Sequence, residues 1–242
     1  MRVSPSLRAA DESAADILLL YTSSQEVDTT MNIVIRRYTV DDYEGLLDVQ
    51  KEAFPPPFPP ELWWKREQIE AHVRTFPEGA MVAVSLEDGR ILGSATALIV
   101  RHADQPHTWA EISDNGYIER THDPDGDTLY GIDVCVRPSA RGLGVAGMLY
   151  DARKRLVVER NLARLAVGSR MPGYHRYADE TDAETYVERV VRGELRDPVL
   201  SFMLKQGLVP VRVLHDYLED EESCNKAVLM EWRNPFYSPR KE

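Results

Sequence analysis

The chain has 242 residues, and its 40 acidic and 29 basic side chains give a formal net charge of -11. This acidic balance disfavours nucleic acid and anionic membrane surfaces as partners, and no apolar run approaches the roughly 18 residues of a membrane-spanning helix. The two cysteines, Cys135 and Cys224, are far apart and lack the C-x-x-C spacing, which disfavours a disulfide framework or a metal site and favours a cytoplasmic location.

The apolar pattern predicts one mixed α/β domain over residues 31–235, flanked by an N-terminal extension at residues 1–30 and a tail at residues 236–242. The extension either forms one helix or is partly ordered. Apolar runs bounded by turn residues predict seven strands, at residues 33–38, 80–86, 91–100, 130–136, 163–167, 208–213 and 227–232. Amphipathic or capped segments predict helices at residues 40–54, 61–76, 144–160, 183–192 and 197–206, with an irregular stretch at residues 101–128.

The stretch between the fourth strand and the third helix has the features of an anion-binding site. The strand ends at a Pro/Ser break, and a loop then leads directly into the helix through Arg141, Gly142, Leu143, Gly144, Val145, Ala146 and Gly147. Glycines let backbone N–H groups approach a phosphate closely, and the helix N-terminus adds partial positive charge. The Arg141 guanidinium adds a charge that stays on at all working pH values. This loop therefore predicts binding of a cofactor that carries a pyrophosphate.

Residues 142–147 also match the dinucleotide motif G-x-G-x-x-G, so an NAD(P)-binding oxidoreductase is an alternative. Two features count against it. Residues 137–141 separate the strand from the first glycine, and the next strand ends without the acid that would bind a ribose. A P-loop is excluded because the Gly-Lys-Ser/Thr sequence is absent.

The loop resembles the signature Arg/Gln-x-x-Gly-x-Gly/Ala of the Gcn5-related N-acetyltransferases (GNAT), with Arg141, Gly144 and Ala146 at the defining positions. The preceding residues 134–138 and the opening residues 35–42 also resemble this family, and the likeness covers about residues 32–233. The resemblance implies a central, mostly antiparallel sheet that is flanked by helices and splays between its fourth and fifth strands. Dimers are common in this family, so a homodimer is compatible with it.

A narrower likeness lies after the fifth strand. Residues 171–180 and residues 197–200 resemble a subgroup of GNAT proteins that is often fused to a carbon–nitrogen hydrolase (nitrilase-like) domain. This likeness implies a separately encoded carbon–nitrogen hydrolase as a partner.

The resemblance implies that an acetyl group moves from acetyl-CoA to a primary amine of a small molecule or peptide by direct attack. Backbone N–H groups of residues 142–147, supported by Arg141, would hold the pyrophosphate of coenzyme A. The pantetheine would lie in the gap beside Val134, Cys135 and Val136, like an added strand. An N–H group near Cys135 or Val136 would polarise the thioester carbonyl. A role in binding coenzyme A without catalysis is a further alternative.

The catalytic groups are predicted from residue type and position. Asp133 is the first candidate for the general base, because a carboxylate in an apolar strand is costly unless it is paired or used, and a salt bridge to an arginine such as Arg170 is the alternative. His175 is the second candidate. The family often has a tyrosine, as the proton donor to the thiolate, at the position of Met203, which cannot donate, so Tyr174, Tyr177 or water would replace it.

Overall fold

The computed structural model describes residues 32–56, 58–101 and 103–239, so the predicted extension at residues 1–30 lies outside the described residues. The described residues contain seven strands: β1 (Ile33–Arg37), β2 (Ala80–Ser85), β3 (Ile91–Val100), β4 (Thr128–Val136), β5 (Arg164–Arg170), β6 (Val209–Leu214) and β7 (Ala227–Arg233). Their α-helices are α1 (Tyr43–Ala53), α2 (Arg66–Thr75), α3 (Trp109–Ser113), α4 (Val145–Glu159), α5 (Ala183–Val191) and α6 (Pro198–Lys205). In this part of the chain no helix is long and apolar enough to cross a membrane.

All seven strands form one sheet in the order β1-β2-β3-β4-β5-β7-β6. Every neighbouring pair is antiparallel except β4 and β5, which run parallel and are joined by the crossover through α4. Helix α4 packs against β1 to β5, and α1 packs against β3 and β4. The predicted mixed α/β fold, with a mostly antiparallel sheet flanked by helices, is confirmed.

The sheet opens between β4 and β5. These strands pair only where residues 128–131 face residues 164–167, and no pairing continues beyond that point. Ile132 is an extra residue in β4, because Gly131 pairs with Ala97 of β3 while Asp133 pairs with Thr96. Such a bulge bends a strand and interrupts its ladder. The predicted splay is therefore confirmed, and a gap lies between the second halves of β4 and β5.

Several predicted bounds differ from the observed ones; the fifth strand, for example, continues to Arg170. The largest differences are at α2 and in residues 101–128. The helix predicted at residues 61–76 begins only at Arg66, because the backbone from Trp63 to Lys65 is extended after the single 3-10 turn Pro60–Leu62. The backbone N–H of Trp64 donates to Gln50 Oε1 at 2.6 Å, which holds this extended segment against α1. The stretch predicted to be irregular contains α3, whose first turn is closed by a capping box between Thr108 and Glu111.

Candidate functional site

A cleft of about 1190 Å³ joins the loop before α4 to the gap between β4 and β5. A smaller cavity of about 170 Å³ continues it toward the closed end of the gap, and the two share lining residues such as Phe54, Val134 and Met203. Burial of a long, narrow ligand in the gap would leave its phosphate end at the loop and its other end in the small cavity.

The predicted anion loop forms one wall of the cleft. Six of its seven residues line the cleft, namely Arg141, Gly142, Gly144, Val145, Ala146 and Gly147. Leu143 does not line it, and its side chain is 46% exposed. Gly142 and Gly144 have φ values of +84° and +77°, a left-handed conformation that L side chains rarely adopt. Gly144 caps α4, so the free N–H groups of the first helical turn face a cleft that is open to an anion.

The strand residues after the bulge continue this wall. Val134, Cys135 and Val136 all line the cleft, and Val134 also reaches the small cavity. Cys135 is buried, its Sγ lies 3.2 Å from Ser94 Oγ, and burial raises the pKa of its thiol well above the ordinary value. A thiol that stays protonated is a weak nucleophile, so Cys135 acts as a small packed side chain beside the gap.

Asp133 lies in the wall of the small cavity. Burial raises the pKa of its carboxyl group to about 6, and the charge on Arg153 and hydrogen bonds from the Trp64 and Gln50 side chains partly oppose that rise. The carboxylate therefore gains and loses its proton near neutral pH. The Trp64 and Gln50 side chains line the same cavity.

Asp133 is not paired with Arg170, so the predicted alternative of a salt bridge between them is wrong. Arg170 binds Asp220 at 2.7 Å and Glu222 at 3.0 Å. The cation near Asp133 is Arg153 of α4, whose side chain is 1% exposed and donates to the carbonyl oxygens of Thr96, at 2.8 Å, and of Asp133. These two carbonyls flank the bulge, so Arg153 satisfies backbone groups that the interrupted ladder leaves over.

The other two predicted catalytic residues do not line the cleft or the small cavity. Tyr174 is buried, and its hydroxyl donates to the carbonyl oxygen of Thr181 at 3.2 Å. His175 is exposed, and its Nδ1 lies 2.9 Å from the carbonyl oxygen of Pro172. The structure therefore brings Asp133 and the loop together around one space but leaves Tyr174 and His175 outside it.

Two tyrosines that sequence reasoning missed line the small cavity, Tyr150 of α4 and Tyr217 after β6. A Cβ on Gly168 would lie only 2.2 Å from Cζ of the Tyr217 ring, so the glycine leaves room for that ring. Its hydroxyl lies 3.1 Å from that of Tyr130, which lies 2.9 Å from His107 Nε2. The sequence carries no signal for either residue, because a buried tyrosine in a helix or after a strand is typical of any core.

Five acidic side chains line the cleft, namely Glu52, Glu219, Asp220, Glu221 and Glu222. Glu52 pairs with two arginines, and Asp220 and Glu222 share Arg170. Glu219 and Glu221 have no ion-pair partner in the described part of the chain, so they add negative charge to a cleft that also holds the cation Arg141. In the whole described part of the chain, no group of three or more His, Cys, Asp or Glu side chains is placed to hold a metal ion.

Comparison with known proteins gives a consistent result. A family model described as the acetyltransferase (GNAT) family matches residues 43–178. An uncharacterized N-acetyltransferase of Bacillus subtilis (strain 168), YkwB, is 51% identical over 207 residues, which are 85% of this chain and 90% of that protein. The probable hydrolase YhcX of the same organism is 41% identical over 223 residues, which are 90% of this chain but 42% of that protein.

A solved structure with a similar fold is the GphF GNAT-like decarboxylase in complex with isobutyryl-CoA. The two structures superpose with a TM-score of 0.65 at 23% sequence identity, over 83% of this chain and 98% of that one. At this identity the likeness concerns the fold.

Proposed function

This chain belongs to the acetyltransferase (GNAT) family, and from that premise we propose that it transfers an acetyl group from acetyl-CoA to a primary amine of a small molecule or peptide. The observation that carries the proposal is the cleft itself. A left-handed glycine loop and the N-terminus of α4 meet an interrupted sheet edge in one continuous space. The similar fold that holds isobutyryl-CoA supports an acyl-CoA in such a space.

The residues fit coenzyme A at both ends. Main-chain N–H groups of residues 142–147 would bind the pyrophosphate, and Arg141 would add a charge beside it. The open sides of β4 and β5 would pair with the amide groups of the pantetheine. A backbone N–H near Cys135 or Val136 would stabilise the charge that develops on the thioester oxygen. When bound, acetyl-CoA supplies the acyl group for transfer.

Asp133 is the proposed general base. Its carboxylate lines the cavity at the closed end of the gap, and a pKa of about 6 leaves it mostly ionised at neutral pH yet able to accept a proton. The neighbouring Trp64 and Gln50 side chains favour its charged form. It would take the proton that the amine must lose as the new C–N bond forms.

We propose an acceptor with more than one positive charge. Glu219 and Glu221 line the cleft without an ion-pair partner in the described part of the chain, so a second cationic group on the acceptor would be attracted to them. The aromatic residues Phe54, Phe58 and Trp64 line the inner space, where the acceptor's apolar part would pack.

A separately encoded carbon–nitrogen hydrolase remains a proposed partner. The 42% of YhcX that this chain matches supports this idea, because the rest of that probable hydrolase has no counterpart in the match. Co-purification of the two proteins from cells that express both would test it.

The proposed function is tested by calorimetric titration with acetyl-CoA, coenzyme A and NADH. We expect micromolar binding of the first two compounds and its loss in Gly144→Glu, which places a strained, negative residue in the loop. Gly89→Glu is the matched control, because Gly89 also has a positive φ but lies in a hairpin turn with open space around it.

Thiol release from acetyl-CoA in the presence of putrescine or butylamine then separates catalysis from simple binding of coenzyme A. These two amines have the same chain length and differ in the number of charged ends, so faster reaction with putrescine is the expected result. Binding of NADH without coenzyme A would overturn the proposal and favour an oxidoreductase.

A further inference from the structure

The small cavity has a methionine, Met203, at the position where the family often has a tyrosine that donates a proton to the thiolate. Met203 of α6 is 4% exposed and lines both the cleft and the small cavity. Its thioether sulfur accepts hydrogen bonds weakly and donates none. Acyl transfer from a thioester leaves negative charge on sulfur, so another group in this wall must supply a proton.

Tyr150 reaches the same wall from the neighbouring helix. It lies in the first half of α4, lines the small cavity together with Met203, and is 0% exposed. Its ring packs edge-on against Phe202, with 5.7 Å between the ring centroids. This contact holds the Tyr150 ring against α6, the helix that carries Met203.

The Tyr150 hydroxyl is unlike those of the other fully buried tyrosines. Tyr38, Tyr130 and Tyr186 each have a side-chain hydrogen-bond partner, at distances of 2.8 to 2.9 Å. Tyr150 Oη is buried, with the Arg153 guanidinium as a neighbour that can only donate, and its own proton has no acceptor within the described residues. A buried hydroxyl proton without an acceptor destabilises a fold, and such groups call for an explanation such as a ligand.

The environment of this hydroxyl suits proton donation. Burial raises the pKa of Tyr150, so the phenol carries its proton at neutral pH, while the nearby Arg153 charge opposes that rise. The Arg153 guanidinium lies 5.3 Å from the centre of the Tyr150 ring and interacts with the Tyr150 hydroxyl. This cation would stabilise the phenolate that remains after the proton has left.

We propose that Tyr150 is the catalytic residue that protonates the sulfur of the departing coenzyme A, an inference that rests on the proposed acyltransferase function. As the amine nitrogen bonds to the acyl carbon, the C–S bond breaks and its electron pair moves to sulfur. The Tyr150 O–H proton passes to that sulfur and gives the free thiol. The neutral amine loses one proton to Asp133, Asp133 then releases it to solvent, and Tyr150 regains one proton from solvent, so protons balance over each turnover.

The inference can be tested without an acceptor, by comparing calorimetric affinities for coenzyme A and for desulfo-CoA, which lacks the sulfur. At about pH 9 most of the free thiol is ionised, since thiol pKa values lie near 8.5. We expect the wild-type protein to prefer coenzyme A by about tenfold, which corresponds to one hydrogen bond to a charged group. Tyr150→Phe should reduce the preference to about twofold or less.

Tyr217→Phe is the matched control, because Tyr217 lines the same cavity but its hydroxyl is already bonded to Tyr130. This variant should keep the full preference for sulfur. In the Tyr150→Phe background, Met203→Tyr should restore the preference, since it supplies a hydroxyl to the same wall from α6. Thiol release from acetyl-CoA with putrescine should follow the same order across these proteins.

The outcomes separate the two proposals. An equal preference for coenzyme A in the wild type and Tyr150→Phe, or no preference in the wild type, would overturn the role of Tyr150 alone. Failure of all the proteins to bind either compound would overturn the proposed function and this inference with it. Folding of Tyr150→Phe is checked by its melting temperature, which should stay near the wild-type value, because the variant keeps the ring and removes a hydroxyl proton that has no acceptor within the described residues.

Discussion

Asp133 places an ionisable group in an otherwise apolar part of β4. Burial raises the pKa of its carboxyl from 3.8 to about 6, so the folded protein holds this proton more tightly than the unfolded chain does. The contribution of Asp133 to stability is therefore fully present below about pH 4 and is lost as the pH rises through 6. A residue that weakens the fold at working pH, beside a cavity, is typical of a catalytic position.

Asp133→Asn should remove this pH dependence. The variant should gain stability relative to the wild type as the pH rises from 4 to 7, by up to about 3 kcal/mol for a shift of roughly two pKa units. Urea denaturation of both proteins at several pH values measures the difference. A difference that shrinks as the pH rises would contradict the raised pKa.

The same variant tests the base in catalysis. The value of kcat/KM for acetyl transfer should rise with pH through about 6 in the wild type, because the base must be unprotonated to accept a proton. In Asp133→Asn the rate should fall on the order of 100-fold, and that part of the pH profile should disappear. Persistence of the same pH profile in the variant would assign the ionisation to another group.

At the scale of elements, Asp197 connects three parts of the fold around α6. It is 0% exposed, caps α6 by accepting from the N–H groups of Val199 and Leu200, and is followed by a proline at the first helical position. The same carboxylate accepts from the Gly173 N–H and the Tyr186 hydroxyl, each at 2.9 Å. It thereby joins α5, α6 and the loop after β5.

Asp197→Ala should destabilise the protein by about 3 to 5 kcal/mol, because it leaves several buried donors without an acceptor. Asp182→Ala is the matched control. Asp182 caps α5 through one hydrogen bond to the Thr185 N–H and is exposed, so its loss should cost only about 1 kcal/mol. Chemical denaturation measures both, and equal losses would show that the buried connections of Asp197 contribute little.

These elements also show what the sequence could predict. Strand and helix positions followed from apolar periodicity, and the glycine loop followed from spacing, because both are local properties of the chain. The delayed start of α2 did not, since it depends on a hydrogen bond from Trp64 to the distant Gln50. Likewise, periodicity predicts that Tyr150 is buried but cannot show that its hydroxyl proton lacks an acceptor among the described residues, because that depends on residues from other elements.

At the scale of the whole molecule, the sheet consists of two parts, β1 to β4 and β5 to β7, which meet where β4 and β5 pair. Different contacts connect the two parts at the closed end and at the open end of this boundary. At the closed end, Arg164 of β5 donates to Thr128 of β4 at 2.9 Å and pairs with Glu231 of β7 at 3.0 Å. At the other end β4 and β5 have no direct pairing, and α4 packs across both. Arg164 and α4 therefore keep the two parts together around an open gap.

The gap has a consequence for how the protein fluctuates. Backbone amides that face it from residues 132–136 and 168–170 lack the strand partner that slows exchange with deuterated water. Coenzyme A should supply that partner and slow exchange at these amides, whereas adenosine 3′,5′-bisphosphate, which has no pantetheine, should protect none of them. Equal protection by both compounds would place the pantetheine elsewhere. The unbound protein is in this sense an unfinished sheet, which we expect coenzyme A to complete for as long as it stays bound.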